Sequence, residues 1–172
     1  MAEAWIIDGV RSPRGRGKST GSLHHIHPQE LLAQVLNALQ KRVGFDTSDV
    51  DDVIVGNGNS VGDHGACIGR MAVLAAGWPV TAPGVTINRF CGSGQQAVTW
   101  AAMGVQAGHQ DLVIAGGVES MSRWPAPEGA PTSHQVTPHC AKCSRWFRKE
   151  FLPTSLPPSV DSLVKMLMHS HW

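Results

Sequence analysis

Val85-Thr86-Ile87-Asn88-Arg89-Phe90-Cys91-Gly92-Ser93-Gly94-Gln95-Gln96-Ala97 is the stretch that decides the architecture. Residues 85–90 are mostly β-branched and apolar and read as a strand. From Gln95 to Ala107 the chain is rich in alanine, almost free of charge and helical in pattern, and such a helix is expected to be buried on most sides. A buried strand that hands over directly to a helix across Cys-Gly-Ser-Gly is a joint of an α/β fold.

The same alternation extends in both directions. Upstream, a short apolar strand spans roughly Ala4 to Gly9, and a basic glycine-rich loop follows from Arg11 to Ser22. A helix opens at Pro28, a favoured first-turn residue, and runs to about Val43 with Leu31, Leu32, Val35, Leu36 and Leu39 on one face; Gly44 stops it. Val53-Ile54-Val55 is a second strand leading into Gly56-Asn57-Gly58-Asn59-Ser60. Ala66 to Ala76 forms a small-residue helix closed by Gly77-Trp78-Pro79. Downstream, Leu112 to Gly116 gives a fourth strand. The regular switch between the two periodicities predicts an α/β domain with a largely parallel sheet.

The texture changes near Pro125. Of the 19 glycines, 18 lie in residues 1–125, while six of the 11 prolines lie after it. The division expected is therefore a folded domain over 1–124 and an atypical, largely irregular tail over 125–172. Within the tail only Val160 to Met168 carries helical periodicity.

A chain of 172 residues can bury a core without disulfide or metal staples. Fourteen Lys and Arg against 13 Asp and Glu give a net charge of +1, which argues against a nucleic-acid binder or a polybasic membrane anchor. No apolar run approaches the ~18 residues of a membrane span. The N-terminus lacks a cationic region and carries Asp8 directly after its short apolar stretch, so it does not read as a signal peptide. Four cysteines, at 67, 91, 140 and 143, are too few and too unevenly placed for a secreted disulfide framework, which points to the reducing cytoplasm.

Cys91 is the strongest candidate for chemistry. It stands at a strand-to-helix joint beside Gly92 and Gly94, glycines that permit a tight turn and close approach of a ligand. Free N–H groups and the positive end of the helix would favour a thiolate there, which is how a cysteine becomes a nucleophile. A structural core cysteine is the alternative at this position, and it is the reading that suits Cys67.

Other motifs are weaker. Gly17-Lys18-Ser19-Thr20 has the end of a phosphate-binding loop but has Ser12 where the first glycine belongs, and no helix begins at Lys18; an exposed cationic loop is the better reading. Gly56-Asn57-Gly58 with Gly62 misses the dinucleotide spacing by one residue and is read as a tight turn. Cys140-Ala141-Lys142-Cys143 with His134 and His139 is half a zinc site, which would need His169 or His171 to complete it. His24-His25-Ile26-His27 lies in a polar loop and is read as solvated. No metal and no prosthetic group are expected.

The segment around Cys91 closely resembles the nucleophile motif of the thiolases, the acetyl-CoA C-acyltransferases. Arg11-Ser12-Pro13, the Gly-Asn-Gly turn at 56 and Gly116-Gly117-Val118-Glu119-Ser120-Met121-Ser122 support the resemblance, which covers about residues 3 to 124. It implies the N-terminal half of an αβαβα layered fold in which two βαβαβαββ halves pack together. It also implies that Cys91 is acylated in turnover, that acyl-CoA and CoA are the substrates, and that the intact family forms homo-oligomers. The family's Gly-His-Pro, Cys-x-Gly and Asn-Glu motifs belong to the other half and are not in place here; His27-Pro28 follows Ile26, and Cys67-Ile68-Gly69 is a chance string. A non-catalytic half-domain that associates with a partner chain is the alternative.

The tail carries one further expectation. Joining the last base of each codon to the first two of the next, from Trp146-Phe147 onward, forces Val first and then permits Pro-Gln-Gly-Ile-Ser-Ala-Asp and an unbroken continuation to Trp172. That reading resembles the loop domain of a bacterial degradative thiolase. It would place a frameshift between Pro125 and His139 and make the tail out of frame.

Overall fold

The computed structural model describes residues 3–123 and the strand Leu167–Ser170. The elements follow the order β1 (Ala4–Ile6), α1 (Pro28–Val43), β2 (Asp52–Gly56), α2 (Ile68–Ala75), β3 (Val85–Ile87), α3 (Ser93–Gln106), β4 (Leu112–Gly117) and β5 (Leu167–Ser170). This is the βαβαβαββ sequence that the resemblance implies.

The strands form one mixed sheet in the order β1-β5-β4-β2-β3. β2 runs parallel to both β3 and β4, with Ile54 opposite Val85 on one side and Ala115 on the other. β5 is antiparallel to β1 and to β4, pairing Trp5 with His169 and Val113 with Met168. Because side chains alternate along a strand, β2 feeds two cores. Val53 and Val55, with Ile114, pack against Leu32, Leu36 and Leu39 of α1 and Ile68, Ala72 and Val73 of α2. Ile54, with Val113 and Ala115, packs against Ala97, Ala101 and Val105 of α3. The molecule is thus layered α/β/α, with α1 and α2 on one face and α3 on the other.

α1 matches its sequence signals at both ends. The His27 imidazole accepts the Gln29 N–H at 3.3 Å, Pro28 fills the first turn, and Gly44 adopts φ 83° while its N–H bonds the Gln40 carbonyl. Trp78, only 6% exposed, ties this helix to the end of α2: its indole N–H donates to Asn37 Oδ1 at 2.8 Å and its ring meets Phe45 edge-on at 5.8 Å. Burying such side chains contributes about 1.5–3 kcal/mol each.

Several boundaries differ from the sequence reading. β1 ends at Ile6 and β3 at Ile87, because Asn88–Phe90 turns instead of extending. α3 begins at Ser93, two residues earlier than the pattern suggests, and it is buried along one stripe only: Ser93, Ala97, Ala101 and Val105. Small residues at every fourth position let it lie close on the sheet, while Trp100 and Met103 on its other side are 46% and 58% exposed. Leu167 and Met168, read as the end of a helix, are in β5, where their backbone groups pair with Ile114 and Val113. Propensity is a weak prior against the unpaired edges of two strands. The rest of the Val160–Met168 segment, the window of the out-of-frame reading and nearly all of the 125–172 tail lie outside the described residues. Among the described residues, no helix is long and apolar enough to cross a membrane.

Candidate active site

Cys91 is exposed, and it lies in the tight turn that leads through the N-cap residue Gly92 into α3. Phe90, immediately before it, has φ 50°, a conformation that L residues rarely adopt. Side chains hold it there. The Phe90 N–H donates to Asn88 Oδ1 at 2.9 Å. The buried Ser93 hydroxyl donates to the Phe90 carbonyl at 2.6 Å and accepts the Arg89 N–H at 2.8 Å. Two backbone bonds close the elbow, from Gly92 to Arg89 and from Ser93 to Phe90, each 3.0 Å. The thiol thus stands at the amino end of α3.

Glycines set the elbow directly on the sheet. A Cβ on Gly56, the last residue of β2, would lie 2.6 Å from the Ser93 carbonyl oxygen and closer still to the Ser93 carbonyl carbon and the Gly94 nitrogen. Only a glycine lets β2 end against the first turn of α3. Gly94 is the opposite case: a Cβ there meets nothing within 4 Å, so the space above the first turn is open.

The loops after β2 and β4 are laced beneath the elbow. Asn57, 1% exposed, donates through Nδ2 to the Val118 carbonyl at 2.7 Å and accepts the Asn59 N–H at 3.1 Å. The Glu119 carboxylate accepts the Gly58 N–H at 2.9 Å, and the Gly58 carbonyl accepts from Asn88 Nδ2 at 3.2 Å. An ordered chain of contacts therefore runs from Glu119 through Gly58 and Asn88 to Phe90.

A second cluster anchors the far side of these loops. His64, 1% exposed, accepts the Ser120 N–H at Nε2 at 2.8 Å, and its Nδ1 has no partner among the described residues. Burial holds its pKa below the ordinary value for histidine, with Asp63 pulling the other way. Arg123 donates through Nε to Asp63 at 2.7 Å and through its terminal nitrogen to the His24 carbonyl at 2.9 Å. That guanidinium holds the Asp63 carboxyl below its usual range.

Sequence reasoning missed this cluster. His24 and His27, read as solvated, are structural: His24 Nδ1 meets the Ser122 carbonyl at 2.9 Å, and His27 caps α1. The capping position of His27 before Pro28 was the only local signal. His64 had none, since a buried histidine looks like any loop histidine in sequence. Cys67 is half-buried, with its sulfur 3.4 Å from the Gly84 carbonyl, as suits a packing role. Residues 17–26 are turns, so no helix starts at Lys18 to make a phosphate-binding loop. Among the described residues, no group of three or more His, Cys, Asp or Glu side chains could hold a metal. Cys140, Cys143, His134, His139 and His171 lie outside them, as does the side chain of His169.

The family described as thiolase, N-terminal domain, matches residues 4–155. The chain belongs to the thiolase family. A steroid 3-ketoacyl-CoA thiolase of Mycobacterium tuberculosis is 41% identical over 135 residues, which are 78% of this chain and 33% of that protein. A beta-ketoadipyl-CoA thiolase of Escherichia coli is 46% identical over 134 residues, 77% of this chain and 33% of its own length. Among solved structures, the Bacillus anthracis acetyl-CoA acetyltransferase superposes with a TM-score of 0.68 at 41% identity, covering 81% of this chain and 34% of that one. The chain thus spans about a third of the length of these thiolases, and what they share with it is the α/β N-terminal domain.

Proposed function

We propose that the chain carries the nucleophile of a thiolase-type acyl-CoA C-acyltransferase and that Cys91 is the residue acylated. The observation that supports this reading most directly is the elbow: an exposed thiol beside a left-handed residue at the amino end of α3, with open space above Gly94. In the cleavage direction the Cys91 sulfur attacks the keto carbon of a 3-ketoacyl-CoA. A C–S bond forms, the carbon–carbon bond breaks, and its electrons leave on the enolate of acetyl-CoA, which is then protonated. Free CoA next displaces the acyl group from Cys91. Two acyl transfers replace one difficult bond cleavage, and donors aimed at the oxyanion lower each barrier. No cofactor is required beyond the CoA substrates.

Efficient turnover also calls for positioned acid and base groups, worth about 10²- to 10⁴-fold each. The resemblance places those in the other half of the family fold, so the reaction assigned to these residues is acyl transfer onto Cys91. The exposed cationic loop carrying Arg11, Arg14, Arg16 and Lys18 suits the phosphates of a CoA handle. Free thiols at Cys67 and Cys91 fit a reducing compartment such as the cytoplasm.

Two structural expectations accompany this reading. Among the described residues β3 is one of the two edge strands of the sheet, with Val85 exposed, an edge on which a second copy could add its own strand to form a homo-oligomer. Residues 1–124 carry the functional unit, to whose sheet β5 (Leu167–Ser170) adds one strand, and the rest of 125–172 is a segment of different composition.

Trp100 and Met103 on the outward face of α3 favour one other reading, a non-catalytic half-domain that binds a partner chain. Incubation with acetyl-CoA or acetoacetyl-CoA, followed by intact mass and peptide mapping, separates the two. An acyl increment on the Cys91 peptide, lost in Cys91→Ala, supports the transferase. No increment on a folded protein overturns it in favour of the binding module.

A further inference from the structure

From the hydrogen bonds that converge on Phe90, we infer that Asn88 and Ser93 are positioning residues that clamp it in its left-handed conformation and so fix the direction in which the Cys91 thiol points. The inference deepens the acyl-transfer reading of Cys91 and rests on it for its catalytic consequence, though not for the clamp itself.

Phe90 has no local reason to adopt φ 50°. For an L residue other than Gly, Asn or Asp the left-handed region is unfavourable, because Cβ crowds the neighbouring carbonyl. Phe90 is 69% exposed, so packing does not compensate. What does hold it are its own backbone groups: the N–H is taken by Asn88 Oδ1 and the carbonyl by the Ser93 hydroxyl, which simultaneously receives the Arg89 N–H. Ser93 is 3% exposed and has both its donor and an acceptor site engaged within the elbow, so its hydroxyl faces inward to the turn and not outward to a ligand. Asn88 is in turn fixed by Gly58, whose N–H is held by Glu119. Cys91 is the next residue in the chain, so releasing the clamp lets Phe90 relax toward negative φ and swings the thiol away from the amino end of α3. A strained residue kept by surrounding bonds next to a nucleophile is a form of preorganisation.

The test uses the full chain and three readouts: acyl transfer from acetyl-CoA to Cys91, alkylation of Cys91 by iodoacetamide, and amide hydrogen exchange. Alkylation needs only exposure, whereas acyl transfer needs orientation. Ser93→Ala is expected to slow acyl transfer about tenfold, the equivalent of one to two lost hydrogen bonds. Alkylation should stay within about threefold of the parent, and the Arg89 and Phe90 amides should exchange faster while those of α3 do not. In a Phe90→Asn background, where the left-handed conformation is tolerated, Ser93→Ala should cost acyl transfer less than about threefold. That rescue separates positioning from general destabilisation.

Unchanged exchange at Arg89 and Phe90 in Ser93→Ala overturns the clamp, and so does parental acyl transfer. An equal loss with and without Phe90→Asn overturns the strain argument on which it depends. If the parent protein is alkylated but never acylated, the transferase reading fails while the clamp stands or falls on exchange alone.

Discussion

Replacing Gly56 by alanine is the most demanding test of how the site is built. A Cβ at this position lies 2.6 Å from the Ser93 carbonyl oxygen, whereas ordinary contact begins at 3.4 Å, so the first turn of α3 must retreat by about 0.8 Å at that atom and further at the Ser93 carbonyl carbon and Gly94 nitrogen. None of these is a flexible side chain that could rotate away. All three belong to the backbone that carries the elbow, and the other side of Gly56 is bound by Gly117 and the Val118 N–H. Overpacking a tight site costs about 1–3 kcal/mol, and obstruction by backbone puts this one near 3. With a urea slope of about 1.5 kcal/mol/M, the unfolding midpoint should fall by about 2 M. The same displacement should slow acyl transfer to Cys91 more than it slows alkylation. Gly94→Ala supplies the contrast: its Cβ meets nothing within 4 Å, and alanine is the better helix former by up to about 1 kcal/mol, so its midpoint should hold or rise. Were Gly56→Ala to unfold within about 0.3 M of the parent, by the same slope a cost of only about 0.5 kcal/mol, the direct seating of α3 on β2 would be wrong.

Other consequences follow from the loop cluster and the core. His64 has its pKa depressed by burial, so below the ordinary value of 6.5 the unfolded chain binds a proton that the folded chain resists. Its contribution to stability is full above that pH and is lost as the pH falls toward the depressed value; His64→Gln, which can still accept the Ser120 N–H, should flatten urea midpoints between about pH 6.5 and 5. A parental slope retained in His64→Gln would exclude this residue as its source. Arg123→Ala removes the bond to Asp63 and the one to the His24 carbonyl; with both partners about a quarter to a third exposed, the loss should be about 1 kcal/mol and smaller at high salt. An increase in that loss with added salt would contradict the ion-pair reading. Trp78→Ala empties a site 6% exposed and leaves Asn37 Oδ1 without the indole donor, and should cost about 3–5 kcal/mol in chemical denaturation; a cost under about 1 kcal/mol would mean the ring is not a core element.

Much of the fold could be read from local sequence because its signals are local. α1 declares itself through Pro28, five apolar residues on one face and Gly44, and its observed limits are those that the pattern predicts. The parallel core of β2 and β4 follows from apolar runs too short for helices and separated by helical patterns. The position of Cys91 was legible for the same reason, since a cysteine followed by Gly-Ser-Gly at a strand-to-helix joint marks the turn from local sequence alone. The resemblance to thiolases rested on that segment with Arg11-Ser12-Pro13, the Gly-Asn-Gly turn at 56 and residues 116–122, and the family matches residues 4–155.

What sequence alone determined is therefore the alternation of elements, their buried faces and the place of one thiol, all consequences of spacing along the chain. Tertiary structure decided what depends on atoms distant in sequence. It seated α3 on Gly56 and Gly117, 37 and 24 residues away from Ser93. It gave His64 and Arg123 their partners, and it left Trp100 and Met103 exposed on a helix whose composition suggested burial. It also paired Leu167–Ser170 between β1 and β4, although periodicity suggested a helix through Met168. Composition reports how apolar a segment is, but only packing determines which face meets a neighbour, because burial and pairing are properties of the whole arrangement and not of any one stretch.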